Sequence, residues 1–146
     1  MKNLKIGAWI ITLVALITIV GPFAADWSST HLFNPRWTPH AKFHNAQTML
    51  LGLGLGASAL WFVWRQSGDA KTNLLAAAVF AALYWITQAG SITFPGTALF
   101  DPEFAPNSAL PVQVIMDVII LGVLGFGYYL ESRRRSALAR TNKENL

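Results

Sequence analysis

Four apolar segments of about twenty residues constrain the fold of this chain more than any other feature. The segments are 6–25, 46–64, 73–94 and 110–130. An α-helix crosses a bilayer core of roughly 30 Å with about 20 apolar residues. Only 12% of the residues are charged, against about 25% in soluble domains. The sequence therefore predicts an all-α integral membrane bundle of four transmembrane helices, a single domain over residues 1–146 with a basic cytoplasmic tail at 131–146.

The distribution of lysine and arginine predicts the orientation of the helices. Of the 11 basic residues, only Arg36 and Lys42 lie in the first and third loops, and the other nine lie on the side of both termini. Because cytoplasmic loops are enriched in lysine and arginine, both termini are expected in the cytoplasm, with the protein in the plasma or inner membrane. Five of the 11 basic residues follow the last apolar segment, which favours a tail near anionic lipid and disfavours nucleic acid as a partner.

The first apolar segment also resembles a cleavable signal peptide, since a basic start precedes it. Cleavage after Ala25 would place Phe23 at the minus-three position, where a small residue is preferred. We therefore expect the first helix to be retained, whereas cleavage would leave three spans.

Small residues at four-residue spacing predict close helix packing within the membrane. Gly52 and Gly56 show this spacing in the second segment, and Gly122, with Gly125 and Gly127 nearby, is expected to act similarly in the fourth. Such residues let two helix backbones approach each other closely in lipid.

Polar side chains inside the apolar segments are the main functional signal. Asp117 lies well inside the fourth segment, where a carboxylate is costly unless it is paired, protonated or in contact with water. Gln113 precedes it by one helical turn. In the third segment, Tyr84, Gln88 and Ser91 follow i, i+4, i+7 spacing and share one face.

The segment "HLFNPRWTPHAKFHNAQ", residues 31–47, contains all three histidines of the chain. The threonine and proline at 38–39 are typical of a helix cap and of a first helical turn, so the second helix is expected to begin there. His40, His44 and Gln47 then share one helix face.

These polar stripes lie at a similar depth, which predicts a polar pocket open toward the outer face of the bundle. Two loops are expected to contribute to it through Asp26, His31, Asn34, Arg36, Asp101 and Glu103. Each residue also has a structural interpretation: Asp117 as a hydrogen-bond partner between helices, the histidines as solvated interfacial residues and the loop carboxylates as surface groups.

The first function that suits such a pocket is a membrane-embedded enzyme acting on a lipophilic substrate, of the isomerase, cyclase or oxygenase type. His44 and Asp117 would form an acid–base pair assisted by His40, because histidine titrates near neutral pH and a carboxyl group exchanges protons. The residues expected to bind substrate are His31, Gln47, Tyr84, Gln88 and Gln113.

Two alternatives remain open. Two histidines at i, i+4 can ligate a transition metal (Zn, Fe or Cu), with Asp117 or His31 completing the site, although "HAKFH" lacks the glutamate of the HExxH motif. The other is a non-enzymatic ligand-binding protein or an accessory subunit, as a homo-oligomer or in a larger membrane complex. Its partners would be membrane lipid and a hydrophobic small molecule. The two halves show no internal repeat, which disfavours transport.

The stretch "HLFNPRWTPHAKFHNAQ" resembles an HxFNPxWxPHAxFHNAQ-type motif of a family of small four-helix membrane proteins of unknown activity. The resemblance covers the first loop and the second helix, about a quarter of the chain, and implies membrane location only. The predicted architecture is also similar in shape to sterol-isomerase-like and anthrone-oxygenase-like membrane proteins. Neither sequence pattern is matched, so no site residue is carried over.

Overall fold

The computed structural model describes residues 5–100 and 110–144. These residues form four helices: α1 (Ile6–Asp26), α2 (Pro39–Trp64), α3 (Ala70–Ser91) and α4 (Val112–Glu144). Each helix is long and apolar enough to cross a membrane. The predicted all-α four-helix bundle is confirmed, while Asp101 and Glu103 lie outside the described residues.

The helices alternate in direction around a ring. α1 and α3 each pack against both α2 and α4, and α1 also touches α3 across the diagonal. Consequently α1 and α3 end, and α2 and α4 begin, at the same end of the bundle, which we call the Asp26 end. At the opposite end, which we call the Glu131 end, α4 passes the loop between α2 and α3.

Alanines are the most frequent apolar residues in the interior of the bundle, and many large apolar side chains lie on its outside. The alanines that are at most 1% exposed are Ala8, Ala15, Ala59, Ala77 and Ala81. By contrast, Trp9, Trp61 and Val118 are each more than 60% exposed. This distribution suits a bundle surrounded by lipid, because helices associate there through close packing of small residues.

The predicted close packing through Gly52 and Gly56 is confirmed. Both glycines are buried against α1. A Cβ atom added at Gly52 would lie 2.8 Å from the carbonyl oxygen of Thr18, and one added at Gly56 would lie 2.6 Å from that of Ala15. The backbones of α1 and α2 therefore approach each other more closely than any larger residue at these positions would allow.

In α4 the close approach is made by Gly127 and not by Gly122. A Cβ atom at Gly127 would lie 2.7 Å from Cγ2 of Ile10, whereas one at Gly122 would meet nothing within 4 Å. The predicted packing role of Gly122 is therefore wrong, because this glycine lies on an exposed face of α4.

The start of α2 is confirmed at Pro39, one residue after its cap. The hydroxyl of Thr38 accepts a hydrogen bond from the backbone N–H of Ala41 at 3.3 Å. α4, in contrast, continues beyond the fourth apolar segment to Glu144. Most of the basic tail is thus an extension of that helix.

Candidate functional site

Asp117 is the buried carboxylate at the Asp26 end. Its residue is 2% exposed, and neither carboxylate oxygen has a hydrogen-bond partner within the described ranges. A buried polar group without a partner costs about 1–3 kcal/mol, and a charged one costs more. An ionisable residue inside a membrane segment is therefore treated first as a functional group.

Asp117 lines a cavity of about 220 Å³ between α3, α4 and the segment that follows α3. We call it the polar cavity, because Gln88 of α3 and Gln113 of α4 also line it. Gln113 donates a hydrogen bond from Nε2 to the carbonyl oxygen of Leu99 at 3.0 Å, which ties α4 to that segment. The structure thus brings together the predicted polar residues of two helices.

A larger cavity of about 550 Å³ lies beside the polar cavity and is lined by all four helices. We call it the main cavity. Tyr84, Gln88 and Ser91 all line it, and Gln88 and Ser91 line the polar cavity as well. The apolar part of its wall comprises Ile17, Gly21, Pro22, Ala25, Leu51, Leu55, Leu83, Trp85 and Met116. Ligand sites in proteins combine this size with a mostly apolar wall and a few polar groups.

Hydrogen-bond acceptors without a partner collect at this end of the bundle. Among the described residues, the buried ones are Asn45 Oδ1, Gln88 Oε1, Gln113 Oε1 and both carboxylate oxygens of Asp117. Buried polar atoms in proteins are nearly always hydrogen-bonded to protein or water. These oxygens therefore need hydrogen-bond donors from outside the described residues, such as water or a bound molecule.

Asp26 joins the first loop to α2 and also lines the main cavity. Its Oδ2 accepts a hydrogen bond from Nδ2 of Asn45 at 2.8 Å. Its Oδ1 lies 3.8 Å from Nε2 of His31, an ion pair when the histidine is protonated. The amide side chain of Asn34, 1% exposed, bonds to the backbone of the same loop. The loop is therefore held over the Asp26 end by buried polar contacts.

His40 and His44 share one face of α2, as the spacing predicts, but this face is exposed. Their Nε2 atoms lie 3.1 Å apart. Nδ1 of His44 lies 3.2 Å from Oε1 of Gln47. The three residues form one chain of contacts near the start of α2, and they line neither the main nor the polar cavity.

The lean of side chains along a helix explains this separation. His44 lies one turn before Thr48, which lines the main cavity. Helical side chains tilt toward the helix N-terminus, and His44 contacts His40, one turn nearer the start of α2. Asp117 has no hydrogen bond within the described ranges, and its predicted acid–base pairing with His44 stays a prediction.

Glu131 is a buried carboxylate that the sequence reasoning missed. It is 1% exposed and accepts hydrogen bonds from Arg134 at 2.6 and 2.9 Å and from Arg135 at 2.9 Å. Arg135 also donates to the carbonyl oxygens of Val63 and Ala70, at 3.0 and 2.8 Å. The i+3 and i+4 spacing in "ESRRR" is the signal that predicts the ion pairs.

Metal ligands are sparse in the described parts of the chain. No group of three or more His, Cys, Asp or Glu residues able to hold a metal ion occurs there. His40 and His44 bring two ring nitrogens within 3.1 Å of each other, while His31 lies beside Asp26 and Asp117 lines the polar cavity.

Fold and site together define a small four-helix protein of the multi-pass membrane class, with adjoining main and polar cavities at one end. Residues 10–141 match the family of unknown function DUF6640, and the chain belongs to this family. No curated protein matches the chain, and no solved structure does. The family is one of unknown function and assigns no activity to the chain.

Proposed function

We propose that the protein binds a lipophilic small molecule in the main cavity and holds the polar group of that molecule in the polar cavity. The proposal includes a plasma-membrane or inner-membrane location with both termini in the cytoplasm, so that the Asp26 end lies outside. The observation that carries it is the wall that Gln88 and Ser91 share between a mostly apolar cavity of about 550 Å³ and a smaller cavity of about 220 Å³ in which Gln113 and Asp117 also lie. An amphipathic molecule fits this division, because each of its parts meets a wall of its own polarity.

The unpaired groups define the chemistry of the polar end. Gln88, Gln113 and Asp117 all present acceptor oxygens that have no hydrogen-bond partner among the described residues. A ligand that donates hydrogen bonds, such as an alcohol, a phenol or an amine, would satisfy these oxygens. A carboxylate or phosphate ligand would place further acceptors against them and is disfavoured.

The catalytic form of the proposal assigns proton transfer to Asp117. Among the described residues that line the polar cavity, Asp117 carries the carboxylate. A carboxyl group next to a ligand can give or take a proton during an isomerisation or cyclisation. Tyr84, Gln88 and Gln113 would orient the substrate. Four residues at the Asp26 end remain proposed contacts of the substrate: His31, His40, His44 and Gln47.

The first experiment identifies the bound molecule. Protein purified in mild detergent would be extracted with organic solvent and compared by mass spectrometry with membrane lipid from the same cells. We expect one hydrophobic compound with a hydroxyl or amine group to be enriched to about one per chain. An extract that contains only bulk lipid would contradict the proposal.

Two serines provide a matched pair for this experiment. Ser58 and Ser91 each donate their hydroxyl to the carbonyl oxygen four residues earlier, both at 2.8 Å. Ser91 lines both cavities, whereas Ser58 lines neither. The larger side chain of Ser91→Phe should fill the main cavity, so this variant should lose the enriched compound. The Ser58→Phe variant should retain the compound. Equal retention in both variants would contradict binding in the main cavity.

The second experiment separates binding from catalysis. The compound identified in the extract would be incubated with protein in lipid nanodiscs, and its conversion would be followed by mass spectrometry. We expect Asp117→Asn to abolish conversion while some binding remains. A compound that binds and is never converted would support a ligand-binding protein instead of an enzyme. A stable protein partner without any enriched compound would support the accessory-subunit alternative.

A second candidate function is transition-metal binding by His40 and His44. Two nitrogens bound to one tetrahedral zinc at about 2.0–2.1 Å lie roughly 3.3 Å apart, and the two Nε2 atoms are separated by 3.1 Å. The Gln47 amide oxygen beside Nδ1 of His44 can orient the ring, as outer-shell acceptors do in metal sites. Water or a second copy of the chain would supply the remaining ligands.

Metal titration tests this candidate. Binding of Zn²⁺, Cu²⁺ or Fe²⁺ to the purified protein would be measured by calorimetry for the wild type, His40→Ala and His31→Ala. We expect His40→Ala to abolish binding and His31→Ala, the matched histidine outside the pair, to leave it unchanged. Equal binding in all three proteins would contradict a site at His40 and His44.

A further inference from the structure

A cavity at the Glu131 end collects positive charge. Its volume is about 320 Å³, and Lys5, Arg65, Arg134 and Arg135 line it together with one carboxylate, that of Glu131. Four cations against one anion leave a formal charge of +3 on the wall. This cavity is far along the bundle from the main cavity and belongs to a different set of side chains.

Two of these cations have no carboxylate partner among the described residues. The ammonium group of Lys5 lies 5.5 Å from the centre of the Trp64 ring. The guanidinium of Arg65 donates from Nε to the hydroxyl of Ser67 at 3.0 Å. Glu131 bonds only to Arg134 and Arg135. Lys5 and Arg65 therefore keep donors for an anion, because no carboxylate within the described part of the chain neutralises either charge.

The same cavity lies at the boundary between apolar and polar parts of the chain. Lys5 directly precedes α1, and Arg65 directly follows α2. Apolar side chains, Ala8 and Leu138 among them, complete the wall. A basic cavity between transmembrane helices at this level is suited to the headgroup of an anionic lipid, whose acyl chains stay in the bilayer.

We infer that this cavity binds the phosphate group of a molecule whose polar part has a net negative charge. Lys5 and Arg65 are the residues that hold this phosphate. A phospholipid headgroup and a free phosphate share this chemistry. The apolar wall and the position at the end of the apolar helices favour the lipid. The inference is independent of the proposed function, because it concerns the opposite end of the bundle.

The test measures lipid binding to delipidated protein by native mass spectrometry. Phosphatidylglycerol, which is anionic, would be titrated in parallel with phosphatidylcholine, which is neutral overall. We expect the wild type to prefer phosphatidylglycerol. The double variant Lys5→Gln/Arg65→Gln should weaken phosphatidylglycerol binding about 30-fold, since each basic residue near an anionic headgroup contributes about a factor of five.

The matched control is Arg133→Gln/Arg140→Gln, which also removes two positive charges, in this case from α4. Neither arginine lines the cavity, so phosphatidylglycerol binding should change less than about threefold, in keeping with general surface attraction. Equal weakening in the two double variants would overturn the site and show only diffuse attraction. Equal binding of the two lipids by the wild type would overturn the preference for an anionic lipid.

A titration with inorganic phosphate distinguishes the source of the phosphate. We expect millimolar phosphate to leave the thermal unfolding midpoint of the wild type unchanged. A rise in that midpoint that is absent from Lys5→Gln/Arg65→Gln, together with no lipid preference, would assign the site to a soluble phosphate and overturn the lipid part of the inference.

Discussion

The two buried carboxylates of α4 have opposite surroundings. Glu131 accepts three hydrogen bonds from two arginines, whereas Asp117 accepts none within the described ranges. The residues are four helical turns apart, so they lie on nearly the same face, about 21 Å apart along the helix. A buried charge persists at low cost only when it is paired. Pairing therefore explains the burial of Glu131, whereas no contact within the described residues explains that of Asp117.

The helix packing around the two carboxylates also differs. Near Glu131, Gly127 brings α4 against Ile10 of α1. Near Asp117, Gln88 and Gln113 line cavity space. Glu131 is thus paired with two arginines, although it also lines the basic cavity, whereas Asp117 combines free volume with acceptors that have no partner among the described residues. This combination is typical of a site and not of a scaffold.

The largest expected effect comes from removing the paired carboxylate. Glu131→Ala leaves Arg134 and Arg135 next to each other without a counter-charge, and breaking a buried ion pair costs about 3–5 kcal/mol. Because the side chains of these arginines are 19% and 15% exposed, we expect the lower end, about 3 kcal/mol. Denaturant unfolding in detergent at neutral pH measures this loss in the free energy of unfolding.

The control for Glu131→Ala is Arg133→Ala. The guanidinium of Arg133 donates to the hydroxyl of Tyr129 on an exposed face of α4, so its removal should cost about 0.5 kcal/mol. A similar loss in the free energy of unfolding for the two variants would show that the ion pairs of Glu131 do not stabilise the helix packing. It would contradict the contrast between the two carboxylates.

A glycine pair on α4 tests the difference in packing. Gly127→Ala should destabilise the protein by about 1–3 kcal/mol, because the new methyl group meets Ile10 in a closely packed contact. Gly122→Ala should change the free energy of unfolding by less than about 0.5 kcal/mol, since the added atom meets nothing within 4 Å. The same unfolding experiment measures both, and equal effects would contradict the contrast between the two ends.

Replacing each carboxylate with its amide should change the free energy of unfolding in opposite directions at the two residues. Asp117→Asn replaces a buried carboxyl group that has no described partner with a neutral amide and should raise the free energy of unfolding of the ligand-free protein by about 1 kcal/mol. Glu131→Gln should lower it, because two arginines lose their counter-charge. A loss of stability in both variants would indicate that Asp117 has a structural partner and would weaken its functional assignment.

The smallest effect concerns the caps of α3 and α2. The carboxylate of Asp69 accepts hydrogen bonds from the backbone N–H and the hydroxyl of Thr72, at 2.7 and 2.8 Å. These bonds, the backbone one foremost, hold the pKa of Asp69 below its ordinary value. A lowered pKa in the folded state stabilises the helix above the unfolded pKa, and this contribution is lost as the pH falls through the folded pKa.

Hydrogen exchange at single amides measures this effect. Protection of the Thr72 amide should fall below about pH 4 in the wild type and should not do so in Asp69→Asn. The internal control is the Ala41 amide, which the hydroxyl of Thr38 caps without a titratable group. A matching fall in protection at Ala41 would assign the change to the whole bundle instead of to Asp69.

Local patterns in the sequence determined the class of the protein and several of its contacts. Hydropathy fixed four helices, because each must match the thickness of the bilayer core. Thr38 and Pro39 fixed the start of α2. The spacing of Tyr84, Gln88 and Ser91 placed them on one face, and all three line the main cavity. These features depend on helix geometry alone, which is the same in every bundle.

Only the tertiary structure decided which polar faces meet. Periodicity groups the polar side chains of each helix but does not set the rotation of one helix against another, which follows from contacts such as those of Gly52 and Gly56 with α1. The packing brings Gln88 and Gln113 to Asp117 and leaves His40 and His44 on an exposed face. It also places Arg135 against the carbonyl oxygens of Val63 and Ala70, contacts across more than sixty residues that no local pattern contains.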